Sequence, residues 1–102
     1  MNTFIFDIDG TIIEQKTRET FNLAKPYKKM IDKINKLYEK GNKIYIYTAR
    51  PMEDAVYTNT QLTKIGLKFH HVFFGKPVGS SPETTFYIDD RSMKPKEFME
   101  EF

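Results

Sequence analysis

Asp7 and Asp9, separated by Ile8 and followed by Gly10 and Thr11, stand directly behind the apolar run Thr3-Phe4-Ile5-Phe6. Alternate residues of an extended chain share a side, so the two carboxylates point one way while Ile8 can return to the core. Gly10 lets the chain bend away without a Cβ in the path. Two carboxylates held this close repel unless a cation or a proton lies between them. The pattern suits a divalent metal, a nucleophile with its acid/base partner, or both. A bland turn is the competing explanation, since Asp and Gly are common where strands end. A calcium-binding helix-loop-helix site fails on spacing. Counted from Asp7, its glycine and glutamate places hold Ile12 and Arg18.

Three further apolar runs lead into polar residues. Lys43-Ile44-Tyr45-Ile46-Tyr47 ends in Thr48, His71-Val72-Phe73-Phe74 is followed by Gly75-Lys76-Pro77, and Thr85-Phe86-Tyr87-Ile88 runs into Asp89-Asp90. In open α/β sheets, ligands sit outside the carboxyl ends of the strands. One sheet edge would then gather Asp7, Asp9, Asp89 and Asp90 with a threonine hydroxyl and a lysine. Phosphoryl transfer needs charge neutralised on the equatorial oxygens and an in-line nucleophile. Mg²⁺ prefers carboxylate and carbonyl oxygens and keeps several waters, so a few aspartates suffice. Lys76 can hold a phosphate oxygen as a point charge. The Thr48 hydroxyl and the free N–H groups of a helix starting near Pro51 can hold others. A carboxylate nucleophile that forms an aspartyl-phosphate is an established covalent route. A second carboxylic acid can protonate the leaving oxygen and later activate water.

The elements that must position these residues alternate between strand and helix patterns. Strands are expected at 3–7, 43–48, 71–74 and 85–89. The first helix has Pro26 in its first turn, where a missing N–H costs nothing. Tyr27, Met30, Ile31, Ile34, Leu37 and Tyr38 give it a buried stripe at helical spacing, and Gly41 is its stop. Pro51 opens a second helix with Met52, Val56, Leu62 and Ile65 inward and Gly66 closing it. Pro95 begins a short final helix through Phe98, Met99 and Phe102. Residues 12–25 are polar without a clear period and read as a loop or small hairpin, the one segment available as a flap. Residues 78–84 are too short and too rich in Gly, Ser and Pro for a full helix. This rhythm indicates an α/β domain, a parallel sheet with helices on its faces. Right-handed crossovers restrict its topology, and the expected strand order is 3-2-1-4, all parallel.

Composition sets the outer limits. The 102 residues make one domain, and 39% hydrophobic with 15% aromatic residues is a globular composition. A net charge of +2 supplies no global attraction for nucleic acid. The absence of cysteine excludes disulfides and thiolate metal sites. No apolar stretch approaches the roughly 20 residues of a membrane span, and no leader pattern opens the chain. A soluble, cytoplasmic protein is expected. Lys28, Lys29, Lys33, Lys36 and Lys40 read as a solvated helix face. His70 and His71 face opposite ways and read as packing residues rather than metal ligands. Arg50 suits a phosphate or a carboxylate fork equally, so it either touches substrate or pairs with an acid. Arg18 and Phe21 are further candidates for substrate contact.

Taken in order, Asp7-x-Asp9-Gly10-Thr11, Thr48 after an apolar strand, Lys76 and Asp89-Asp90 resemble the four motifs of the haloacid dehalogenase superfamily, over essentially the whole chain. The resemblance implies a three-layer Rossmannoid fold and a Mg²⁺-dependent phosphotransferase, most often a phosphatase. It casts Asp7 as nucleophile and Asp9 as general acid/base, with the Asp9 backbone carbonyl also on the metal. Thr48, its neighbour Ala49 and Lys76 would hold the phosphoryl group. Asp89 and Asp90 would complete the metal site. Tyr-Ile-Asp-Asp-Arg at 87–91 after Gly-Lys-Pro at 75–77 is similar to small phosphatases of capsule and polysaccharide biosynthesis. The expected substrate is a small phosphorylated molecule such as a sugar phosphate or nucleotide. The chain departs from larger members by lacking a cap domain, so a neighbouring subunit or a large substrate would have to cover the site. A phospho-accepting receiver uses the same residue types, but there the lysine comes last. Here Lys76 precedes the final acidic pair, and the order counts against a receiver. A non-catalytic phosphate-binding module stays open, because fold does not guarantee activity.

Overall fold

The computed structural model describes residues 2–16, 24–75, 85–88 and 99, with 85–88 described by backbone alone. Among the described residues, strands β1 (Thr3–Phe6), β2 (Lys43–Thr48), β3 (His71–Phe74) and β4 (Thr85–Ile88) form one sheet, and helices α1 (Lys28–Glu39) and α2 (Ala55–Lys64) lie in its connections. The order across the sheet is β3-β2-β1-β4, and each pairing is parallel. β1 is an inner strand, and Phe4, Ile5 and Phe6 are all buried. An inner parallel strand covered on both faces takes such a continuous apolar run.

Register sorts the side chains by face. Phe4 lies beside Ile44 and Phe6 beside Ile46, and Ile46 lies beside Val72. These residues join Met30, Ile31, Ile34 and Leu37 of α1 and Leu62 of α2 in one core cluster. Full burial of one such side chain contributes about 1.5–3 kcal/mol. β1, β2 and β3 step across the sheet in chain order, and successive right-handed crossovers in one direction bring both helices to the same face. The opposite face carries Ile5, Tyr45, Tyr47 and Phe73, where the Tyr47 and Phe73 rings meet edge to face at 4.6 Å.

Both helices end the same way. Gly41 (φ +93°) and Gly66 (φ +81°) take the left-handed conformation that glycine adopts at no steric cost. At α1 the Gly41 and Asn42 N–H groups bond the Tyr38 and Leu37 carbonyls at 3.0 and 3.2 Å. At α2 the Gly66 and Leu67 N–H groups bond Thr63 and Leu62 at the same two distances, 3.0 and 3.2 Å. This double bond satisfies carbonyls that the helix end would leave orphaned. The pairing of Leu67 with Leu62, both buried, adds the apolar contact that accompanies it.

Several expected placements change. β1 stops at Phe6, so Asp7 stands beyond its strand rather than within it, while Asp89 lies outside the described residues. Tyr27 is 43% exposed because it caps α1 instead of joining its stripe. Pro51 leads into a single 3-10 turn, Met52–Asp54, before α2 begins. Met52 and Val56 are 69% and 82% exposed, while Leu62 is buried as expected and Thr58 joins it on the inward face of α2. Ile12 and Ile13 are fully buried core residues, so an exposed segment cannot start at residue 12. The rest of the expected flap at 17–23, the 78–84 crossover and the helix from Pro95 lie outside the described residues, apart from Met99. Met99 is partly buried against the core, and its carbonyl accepts the Lys33 Nζ at 3.1 Å. No helix among the described residues is long and apolar enough to cross a membrane.

Candidate active site

The turn behind β1 is wound around one carbonyl. Ile8 O accepts the N–H groups of Thr11, Ile12 and Ile13 at 3.1, 2.9 and 3.1 Å, while Gly10 N–H donates to Ile13 O at 2.7 Å. The buried side chains of Ile8, Ile12 and Ile13 fasten this turn to the core from below. Gly10 closes it at φ +85°. Asp7 and Asp9 are left half-buried at its rim, and Asp7 Oδ1 accepts the N–H of Ile8 at 2.9 Å. A buried isoleucine between two partly accessible acids is the arrangement that the Asp-x-Asp spacing implies.

β2 delivers the second group. Thr48 is fully buried and Arg50 is 4% exposed, with exposed Ala49 between them. Thr48 Oγ1 accepts the Arg50 N–H at 3.1 Å, a side-chain turn that folds the chain away from the strand end. A hydroxyl that accepts this bond keeps its proton to donate. Arg50 O in turn accepts the N–H of Gly75 at 3.2 Å. The backbone of Arg50 therefore joins the carboxyl ends of β2 and β3.

The Arg50 side chain joins two more elements. Nε donates to Asp9 Oδ2 at 3.0 Å and Nη2 to Asp9 Oδ1 at 2.7 Å, a bidentate fork. Nη1 donates to Thr58 Oγ1 at 3.2 Å and to Gln61 Oε1 at 2.8 Å. The arginine side chain is 3% exposed and that of Asp9 16%. An unpaired charge at such depth costs on the order of several kcal/mol, so these acceptors are what allow an arginine there. Arg50 thus pairs with a carboxylate, one of the two roles its chemistry allows. Thr58 and Gln61 had no place in the sequence reading. Their signal was present, as polar residues at 58 and 61 on the stripe that carries Leu62 and Ile65.

Asp7, Asp9, Thr48, Ala49 and Arg50 thus meet at the carboxyl ends of neighbouring strands. Lys76, which follows Gly75 directly, and Asp89, Asp90 and Arg18 lie outside the described residues. Among the described residues no three His, Cys, Asp or Glu side chains converge on a common point. Asp7 offers hard oxygen donors of the kind Mg²⁺ takes. Both Asp9 carboxylate oxygens accept from Arg50 and each keeps one lone pair, and the Asp9 backbone carbonyl is a further hard oxygen suited to a cation. His70 accepts the Ile44 N–H at Nδ1 at 3.0 Å and lies against Tyr38 with ring centroids 4.7 Å apart, a packing role. A cleft of about 370 Å³ lined by Ile13, Tyr57, Gln61 and Lys64 among others shares Gln61 with the Arg50 network. Neither aspartate is among its described lining residues.

Comparison with known proteins agrees with this arrangement. A crystallised target protein from Vibrio cholerae is 26% identical, with a TM-score of 0.67 over 97% of this chain and 88% of that one. A candidate 3-deoxy-D-manno-octulosonate 8-phosphate phosphatase from Vibrio cholerae shares the fold at 17% identity and a TM-score of 0.55, over 91% of this chain and 57% of that one. No curated protein matches the chain. The family model for haloacid dehalogenase-like hydrolases matches residues 4–99, nearly the whole sheet with the Asp7–Asp9 turn and the Thr48–Arg50 segment, and the chain belongs to that family.

Proposed function

We propose that this protein is a Mg²⁺-dependent phosphatase that hydrolyses a phosphomonoester through an aspartyl-phosphate on Asp7. The observation that carries the reading is the pairing of a half-buried Asp7 with an Asp9 held by a buried guanidinium fork. An acid with some access to solvent stands beside an acid whose orientation is fixed. That asymmetry suits a nucleophile and its acid/base partner better than two equivalent ligands.

In this mechanism an Asp7 oxygen attacks phosphorus in line and the bond to the leaving oxygen breaks. Asp9, protonated from solvent on the oxygen lone pair that faces away from Arg50, supplies the proton to that oxygen. Asp9, now a carboxylate, takes a proton from water, whose oxygen attacks phosphorus and releases phosphate and a free Asp7. The Thr48 hydroxyl, the backbone beside Ala49 and Lys76 hold the phosphoryl oxygens. The Asp7 carboxylate, the Asp9 carbonyl and the Asp89–Asp90 pair hold Mg²⁺. When bound, the cation neutralises charge on the phosphoryl oxygens. If no cap domain covers the site, its substrate is a small phosphorylated molecule, or a larger one that itself covers the site. 3-Deoxy-D-manno-octulosonate 8-phosphate belongs in the screen beside other sugar phosphates and nucleotides, since a protein of this fold carries that name.

The test is turnover of an aryl phosphate and of this panel, with and without Mg²⁺, by the wild type and by Asp7→Asn. Loss of all turnover in a folded Asp7→Asn variant, and on chelation, is the expected result. Substantial Mg²⁺-dependent turnover by Asp7→Asn would rule out the covalent route. Phosphate binding without turnover by the wild type would favour a non-catalytic module.

A further inference from the structure

We propose that Arg50 is a positioning residue for Asp9, and that Thr58 and Gln61 of α2 set the aim of Arg50. The catalytic half of this inference rests on the phosphatase reading above. Arg50 touches four of the elements around the site. Its N–H meets Thr48 at the end of β2, its carbonyl meets Gly75 behind β3, its fork meets Asp9 behind β1, and Nη1 meets α2. The guanidinium is 3% exposed, and its nitrogens are engaged by Asp9, Thr58 and Gln61. Its function is exerted through the carboxylate it holds.

The geometry explains how. A planar fork bonded at both nitrogens fixes the plane of the carboxylate as well as its distance. Each Asp9 oxygen gives one lone-pair site to Arg50 and keeps another, so the fork orients the group without consuming it. The fork could swivel about its long side chain if it were held only by Asp9. Thr58 and Gln61, one helical turn apart on α2 and both on Nη1, remove that freedom. Rotation of α2 on the sheet therefore sets the direction in which Asp9 points. Effective proton transfer needs this aim, since a displacement of about 1 Å can cost on the order of 10²-fold in rate.

Two measurements test the proposal. The first compares kcat on an aryl phosphate, whose leaving group needs little protonation, with kcat on an alkyl phosphate, whose leaving group needs much. Arg50→Lys keeps the charge but cannot make the fork. It should lose about 10²-fold on the alkyl substrate and under about tenfold on the aryl one, with KM nearly unchanged. Gln61→Met and Thr58→Val should show the same skew at a smaller size, about tenfold or less on the alkyl substrate. Equal losses on both substrates, a rise in KM alone, or wild-type behaviour of Arg50→Lys would overturn the positioning role.

The second measurement needs no turnover. Melting temperatures of metal-free Asp9→Asn, Arg50→Met and the double variant should be strongly non-additive, the double variant melting no lower than Arg50→Met. Additive losses would overturn the junction itself. A wild type inactive on both substrates would remove the phosphatase reading and the catalytic role together, and the melting cycle would still decide the Arg50–Asp9 pairing.

Discussion

Gly10→Ala is the smallest change that separates the backbone geometry of the Asp7–Asp9 turn from the chemistry of its side chains. Gly10 sits at φ +85°, and a Cβ built there would meet Gln15 Oε1 at 3.2 Å. The contact is with the far end of a flexible side chain and yields at little cost. The conformation does not yield, because Gly10 N–H is bonded to Ile13 O at 2.7 Å and Ile13 is fully buried. A residue with a Cβ in this left-handed region costs about 1–2 kcal/mol. The reduced entropy of the unfolded chain returns about 0.4–1 kcal/mol of that. The net destabilisation is then about 1 kcal/mol, a melting temperature lower by about 4–8 °C for a domain of this size. Gly10→Asn should lose less, because asparagine tolerates this region. Gly10→Ala/Gln15→Ala should recover nothing, since the strain lies in the backbone. Turnover measured well below the melting temperature should fall about 10–100-fold, as the turn that presents Asp9 shifts. Thermal melts and initial rates on an aryl phosphate decide the matter. A Gly10→Ala variant as stable as wild type, or one restored by trimming Gln15, would refute the reasoning.

Three other outcomes are expected. The rotation of α2 predicts that Val56→Ser, at an 82% exposed position, changes stability by under about 0.5 kcal/mol. Leu62→Ala, at a fully buried one, should cost about 2–5 kcal/mol in chemical denaturation, and comparable losses would place Val56 in the core after all. Mg²⁺ at about 100 times its dissociation constant should stabilise the fold by about 2.7 kcal/mol through linkage. That rise in melting temperature should shrink in Asp7→Asn, and an unchanged rise would place the cation elsewhere. Lys68 Nζ lies 2.6 Å from Glu39 Oε1, and this hydrogen bond, then the lysine charge, hold the Glu39 carboxyl below its ordinary range. A depressed folded value means that the stabilisation is present above the ordinary carboxylate range and is lost as pH falls through the folded value. The melting difference between wild type and Glu39→Gln should therefore be small near neutrality and vanish in acid or in high salt, and a difference that grows on acidification would contradict the pairing.

The class of fold was legible because it rests on local signals. Apolar runs of four to six residues separated by helical stripes can bury their faces only as a parallel sheet with helices packed on it. The glycines at 41 and 66 mark both helix ends through backbone conformation alone. The Asp7-Ile8-Asp9 spacing foretold one buried residue between two partly accessible acids, which the structure realises in a turn rather than in extended chain. In each case the determinant lies within a few residues of its effect.

Tertiary structure decided what depended on partners far along the chain. The sequence offered Arg50 a phosphate or a carboxylate with equal chemical justification. Asp9, 41 residues away, takes a two-point fork that only the folded sheet brings within reach. Ile12 and Ile13 stood at the head of a polar segment and read as loop, yet the Ile8 carbonyl gathers three N–H groups and turns both side chains into the core. Periodicity reports which residues share a face. The burial of a charge and the path of a turn depend on contacts between elements that no local pattern encodes.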